Sequence, residues 1–173
     1  VPFLFYHGAI CLLKKGSTML IGVVSDTHGY LDPRALAALR GVEHILHAGD
    51  VGDEAVLRAL EELAPVSAVS GNIDAGTPLG RRLPGVIARE FAGVPVYLTH
   101  IGGRPEQLAA RLPSPRPRVY IFGHSHVALL EQIGDVLFLN PGAAGRPRFG
   151  GGLSVALLAL ADGRAQARLV PLL

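Results

Sequence analysis

Metal-binding side chains come one or two at a time along this chain, each directly after a short apolar run. Asp26 and His28 follow LIGVVS, Asp50 follows HILHAG, Asn72 follows VSAVSG, His100 follows VPVYLT, and His124 and His126 follow VYIFG. Seven donors thus fall at the carboxyl ends of five predicted strands. In open α/β sheets that edge is where ligands bind. Seven are more than one ion takes from protein. Their mixture of carboxylate, amide oxygen and imidazole suits a pair of divalent cations.

Each motif alone has an ordinary explanation. Asp26-x-His28 also describes a turn aspartate beside a surface histidine. Asp50 reads equally as a helix N-cap acid, Asn72 as a turn asparagine, and His100 as a strand-end histidine bonded to backbone. Gly49 lets the chain turn sharply into Asp50, whose two oxygens can bridge cations about 3.5–4 Å apart. Asn72 offers a neutral oxygen that limits the negative charge of the site. Gly123-His124-Ser125-His126 is the most telling piece, because imidazoles at i and i+2 after a strand rarely serve a core. Donors at five separate strand ends together favour the two-metal reading over the five separate ones.

The elements that would position these donors alternate from Met19 onward. LIGVVS, HILHA and VSAVS read as strands. Between them lie a helix over ALAALRG, ending near Gly41, and an amphipathic helix over DEAVLRALEEL with Asp53 as N-cap. This βαβαβ order predicts a parallel sheet with right-handed crossovers. Residues 75–85 carry turn signals and read as a loop. Ala92-Gly93, Gly134-Asp135 and Asp162-Gly163 each separate two apolar runs and predict hairpins. PEQLAARL reads as a short helix, PSPRPR as a connector, and LSVALLALA as a buried strand. The second half is therefore expected to be mostly antiparallel, and two sheets packed face to face with helices outside would bury both kinds of strand.

The 173 residues suffice for one domain, and 49% of them are hydrophobic. The formal charge of +2 comes from Lys14 and Lys15. From Met19 on, fourteen arginines balance fourteen acids. A neutral domain without Trp lacks the basic, aromatic footprint of nucleic-acid binding, so no nucleic-acid partner is expected. The single cysteine, Cys11, excludes an internal disulfide and points to a reducing, cytoplasmic setting. No apolar run reaches the roughly 20 residues of a membrane span, so no membrane association is expected. Residues 1–18 read as an N-terminal extension whose charges follow its apolar part, unlike a secretory signal. Met19 is the expected natural start, the alternative being a genuine arm that packs on the domain or a neighbour. Residues 19–173 read as a single domain.

The ordered set D-x-H, G-D, G-N, a lone strand-end His and G-H-x-H resembles the calcineurin-like metallophosphoesterase superfamily. HAGDV, GNID, GHSH and NPGAAGRPR resemble its small bacterial and archaeal phosphodiesterase branch, of the YfcE/MJ0936 type. The resemblance spans essentially residues 19–173. It implies a four-layer αββα sandwich of two mixed β-sheets and a dinuclear site, often manganese, with nickel, cobalt, iron or zinc as alternatives. One ion would take Asp26, His28, Asp50 and His126, and the other Asp50, Asn72, His100 and His124. A hydroxide bridging the ions would attack a small phosphodiester or nucleotide. Asp50, Asn72 and His124 would act catalytically by positioning that hydroxide and the phosphate. No protein nucleophile is required.

Ile73 stands where many relatives carry a histidine that assists the leaving group, which implies a preference for good leaving groups such as aryl esters. Arg148, in the glycine-rich NPGAAGRPR loop, is the best of several arginines (Arg81, Arg82, Arg104 and Arg146 being the others) for meeting a substrate phosphate. Each of them also reads as a solvated surface residue. His47 reads as a satisfied core histidine or a support for the site, Asp74 as a brace for the Asn72 loop, and Asn140 as the anchor of the loop that follows it. THIGG in place of THG and Ala143 in place of serine depart from the family pattern at the rim. The competing function is a non-catalytic protein-binding scaffold, because a eukaryotic retromer subunit resembles the same family. Homo-oligomerisation is left open.

Overall fold

Parallel pairing begins at the first strand, β1 (Met19–Val24), which aligns with β2 (His44–His47), and β2 with β3 (Val66–Ala68). A computed structural model describes residues 18–147 and 151–173 of the chain. The crossovers carry α1 (Pro33–Ala38) and α2 (Glu54–Glu61). Asp53 caps α2, its Oδ1 accepting the Ala55 N–H at 2.8 Å, and Val56, Leu57 and Leu60 form the buried stripe. Gly22 in β1 leaves room for Leu39, which a Cβ there would strike.

The loop expected over residues 75–85 contains a short helix, α3 (Pro78–Arg82). Pro78 sits in its first turn, where a missing N–H costs nothing, and the Thr77 Oγ1 accepts the Gly80 N–H at 3.0 Å. Proline and glycine here start a helix instead of breaking one.

The second sheet runs β4 (Val86–Phe91), β5 (Val94–Thr99), β6 (Val119–Ile121), β8 (Val136–Asn140), β7 (Leu129–Ile133). β5, β6 and β8 are parallel to one another, with β4 and β7 added antiparallel at the edges. Most pairings of the second half are antiparallel as expected, and the two parallel ones, β5 with β6 and β6 with β8, form the centre of its sheet. Each parallel step uses a crossover, one of them carrying α4 (Pro105–Ala109). The last hairpin, β9 (Ser154–Ala161) and β10 (Arg164–Pro171), returns to the first sheet, giving the order β10-β9-β1-β2-β3. β1 is therefore held between strands from opposite ends of the chain.

Alternation along the strands sorts side chains into three apolar layers. Ile21, Val23, Leu46, Leu158 and Leu160 meet Val96, Leu98, Val119, Ile121 and Leu139 between the sheets. Val24, Ile45 and Leu157 pack outward under α1 and α2 with Leu39 and Leu60. Tyr120, Phe122 and Phe138 pack outward under α4 with Leu108. The result is the expected αββα sandwich. Both sheets end their parallel strands at one rim, where the Gly123 N–H meets the His100 carbonyl and the Ala144 N–H meets that of Ser25.

Candidate metal centre

All seven donors singled out in the sequence converge at that rim. Asp26, His28 and His126 bring ligand atoms within 4.8 Å of one another, and so do Asp26, Asp50 and His100. Asp50 faces both halves: its Oδ2 lies 3.5 Å from the His28 Nε2, and its Oδ1 lies 3.3 Å from the His100 Nε2. The Asn72 Oδ1 sits 2.9 Å from the His100 Nε2 and 3.1 Å from the His124 Nδ1. The His126 Nε2 stands 3.2 Å from the His28 Nε2 and 3.3 Å from the Asp26 Oδ1. That Asp26 oxygen is buried and accepts no hydrogen bond, while its Oδ2 accepts the His124 N–H at 3.1 Å.

This packing of carboxylates and imidazole nitrogens fits divalent cations. The His100 Nδ1 donates to the Ala48 carbonyl at 2.8 Å, so its Nε2 is the nitrogen turned on the oxygens of Asn72 and Asp50. Without a cation, a proton must separate that nitrogen from the oxygens. Burial opposes the charge on His100, but the Asp50 hydrogen bond, the Ala48 carbonyl and the Asp50 and Asp26 charges outweigh it and raise the pKa of the ring. Burial likewise pushes the Asp50 carboxyl up. The His100 hydrogen bond, the Ile73 N–H at 3.0 Å and the two imidazoles prevail and hold it below its usual value. Metal ligands must be deprotonated, so a bound cation would take the place of these protons.

The backbone is bent to aim these donors. Asp26, His28, Asp50, His124 and His126 all have left-handed φ, between 49° and 70°. For non-glycine residues such geometry costs energy and collects at functional sites. The glycines serve a second purpose. Gly49 does have a positive φ of 91°, as the sharp-turn reading requires, but a Cβ there would also press on the His100 ring. At Gly71 a Cβ would overlap the Asp50 carboxylate, and at Gly123 the Ser25 hydroxyl. Both glycines are there for space.

A layer of buried polar groups behind the donors holds the loops. His47, fully buried, accepts the Gly49 N–H at Nδ1 (3.2 Å) and donates from Nε2 to the Thr27 Oγ1 (3.0 Å). It is a satisfied core histidine and also a brace between two donor loops. The Asp74 carboxylate accepts the N–H groups of Val51, Gly52 and Gly71 at 2.8–3.1 Å, tying the Asp50 loop to the Asn72 loop. The Asn140 Nδ2 donates to the Gly123 carbonyl and the Ser125 Oγ, and its Oδ1 accepts the Gly142 N–H. Thr27 is the functional residue that sequence reasoning passed over. Its hydroxyl donates to the Val51 carbonyl at 3.0 Å, and its only signal was a place between Asp26 and His28.

The arginines divide. Arg81 donates to the Gly76 carbonyl at 2.7 Å, and Arg82 pairs with Glu54 at 2.9 Å, both on the surface. Arg104 holds the exposed N-cap position of α4 without a side-chain cap bond. Arg146 stacks 4.6 Å over the Tyr30 ring, two residues beyond His28. Arg148 lies outside the described residues, as does the proposed extension up to residue 17. Ile73 keeps its N–H on Asp50 while its side chain faces solvent with no proton to give.

Known proteins place this geometry. The model of the calcineurin-like phosphoesterase superfamily domain matches residues 19–163. The probable metallophosphoesterase MJ0623 of Methanocaldococcus jannaschii is 36% identical over 143 residues, covering 77% of this chain and 72% of that protein. Phosphodiesterase MJ0936 of the same organism is 32% identical over 145 residues, covering 72% of this chain and 83% of its own. The crystal structure of Entamoeba histolytica Vps29 complexed with zinc superposes with a TM-score of 0.68 at 23% identity, over 89% of this chain and 99% of that one. That last likeness is one of fold. On the strength of its matched domain and these relatives, the chain belongs to the calcineurin-like phosphoesterase superfamily.

Proposed function

We propose that the protein is a dinuclear metal-dependent phosphoesterase acting on a small phosphodiester. Asp26, His28, Asp50 and His126 would hold one divalent cation, and Asp50, Asn72, His100 and His124 the other. The observation that carries this reading is Asp50, which turns one oxygen toward His28 and the other toward His100. A carboxylate so placed is built to be shared. The relatives named as metallophosphoesterase and phosphodiesterase support the same chemistry. Borderline nitrogen and oxygen donors accept manganese, iron, cobalt, nickel or zinc, and manganese is the metal we favour.

When bound, two such cations acidify water toward neutrality and neutralise charge on phosphoryl oxygens. The chain's own part is preorganisation. Asp74, His47 and Asn140 fix the donor loops before substrate arrives, so little reorganisation remains at the moment of reaction. Asp50 orients from the buried floor, and Asn72 is exposed above it. His124 is exposed at the mouth, where a phosphoryl oxygen can meet it. Arg146, steadied on Tyr30, is the described arginine best placed to hold a substrate anion. Arg148 keeps that role as a proposal from sequence. Ile73 leaves departure of the leaving group without an acid, so esters of acidic alcohols or phenols suit the site.

A cytoplasmic location accords with the single cysteine. Among the described residues no helix is long and apolar enough to cross a membrane. The scaffold alternative predicts an eroded donor set, and this one is whole.

The test is turnover of bis(p-nitrophenyl) phosphate with and without manganese. Metal-dependent hydrolysis is expected, and Asp50→Asn should lower kcat/KM by more than the roughly 10–100-fold that loss of a supporting outer partner costs. Absence of metal-dependent turnover on any ester would favour the scaffold.

A further inference from the structure

A recess of about 210 Å³ opens beside His124, lined by Phe122, Val127 and Leu129 and by Gly102 and Gly103. Its wall is mostly carbon. Gly102 makes the recess possible, because a Cβ there would overlap the Phe122 ring and lift the loop that follows His100. The same character extends around the rim. Among the described residues seven large apolar side chains are exposed, and four of them (Tyr30, Ile73, Ile101 and Val127) lie one or two positions beyond a candidate donor. Ile101 and Val127 are 61% and 67% exposed. Apolar surface left in water is unfavourable, and beside a recess of ligand size it points to a binding site. Beside a cluster of carboxylates and imidazoles, that carbon has no part in holding cations.

We propose that this recess is a subsite for an apolar, aryl-sized substituent of the phosphoester, an inference that rests on the phosphoesterase reading above. The recess shares His124 with the donor cluster, so its occupant is the neighbour of whatever the donors hold. A group bonded to the phosphorus meets that condition. Size sets the class: an apolar cavity of about 150 Å³ takes benzene, whereas a methyl group would leave most of this volume empty. The substrates selected are then esters carrying a phenyl-like or comparably compact apolar group. Such a phenol is also a leaving group that needs no acid at position 73.

Calorimetric binding of methylphosphonate and phenylphosphonate to the manganese-loaded full chain tests the idea without turnover, because neither P–C bond hydrolyses. Phenylphosphonate is expected to bind roughly tenfold more tightly, from the apolar area it buries. Val127→Ser should bring the ratio close to one, while Leu130→Ser, at an exposed position outside the recess, should leave it near ten. Equal affinities in the wild type, or a ratio untouched by Val127→Ser, would overturn the subsite. So would a loss of self-association in Val127→Ser, seen by sedimentation with the ratio retained, which would make the patch a contact between copies. If neither phosphonate bound at any metal concentration, the phosphoesterase reading itself would fall, and the subsite with it.

Discussion

A neutral imidazole at position 47 ties the Asp26 and Asp50 loops together without ever reaching solvent. Burial lowers its pKa from 6.5 to about 4, with neighbouring imidazoles adding to the effect and Asp74 and Asp50 opposing it. Between those values the unfolded chain binds the proton and the folded one does not. The contribution to stability is therefore complete above pH 6.5 and is lost as pH falls toward 4. A shift of that size amounts to about 3 kcal/mol. Denaturant midpoints of the metal-free protein between pH 7.5 and 4.5 should fall more steeply in the wild type than in His47→Asn. Parallel slopes would show that another group carries the dependence. At position 73 the expectation concerns rate. Ile73→His should speed hydrolysis of alkyl esters more than that of p-nitrophenyl esters, measured as the ratio of the two kcat/KM values. That these seven side chains would converge was legible from residue type and spacing. Thr27 was not, and for His47 the sequence offered its two roles only as alternatives, because hydrogen bonding across loops about 20 residues apart leaves no local pattern.

The loops that follow the strands store conformational cost where the strands themselves have none. Among the described residues, seven other than glycine have left-handed φ. Ala92 and Asp162 belong to hairpin turns, and the other five are candidate donors. Replacing one of them by glycine removes side chain and strain together. His124→Gly should stabilise the metal-free protein by up to about 1 kcal/mol while weakening metal binding, a trade readable from melting curves with and without manganese. Gly71→Ala should do the reverse of a benign change. Its new Cβ meets the Asp50 carboxylate, so a loss of about 1–3 kcal/mol and of metal affinity is expected. Dipeptide turns such as Gly134-Asp135 announced their hairpins because only certain residues tolerate that backbone. The left-handed donors gave no such sign, since aspartate and histidine occur in every conformation. Pro78 misled for a related reason: a residue that ends helices also begins them.

Across the whole molecule, the first sheet supplies Asp26, His28, Asp50 and Asn72, and the second supplies His100, His124 and His126. Bound cations would thus join the sheets at one rim while apolar packing joins them between. Chelation should lower the melting temperature, and manganese at about 100 times its dissociation constant should restore about 2.7 kcal/mol. The inter-sheet layer should matter to the site as well. Leu98→Ala, at a fully buried position one residue from Thr99 and two from His100, should cost about 2–5 kcal/mol and loosen metal binding in proportion. The layers were foreseeable from alternation, but the parallel core of the second sheet was not. One crossover ends in a proline-rich connector, and the other carries the edge strand β7, whose hairpin with β8 gives no sign that β8 also pairs parallel with β6. The placement of β1 has one more consequence. Its partners β2 and β9 lie near opposite ends of the chain, so during synthesis the strand leading into Asp26 leaves the ribosome long before the hairpin that closes its open edge. A message truncated after the GHSH codons would encode every donor and still yield a half-zipped sheet, exposing its central strand to aggregation instead of to substrate.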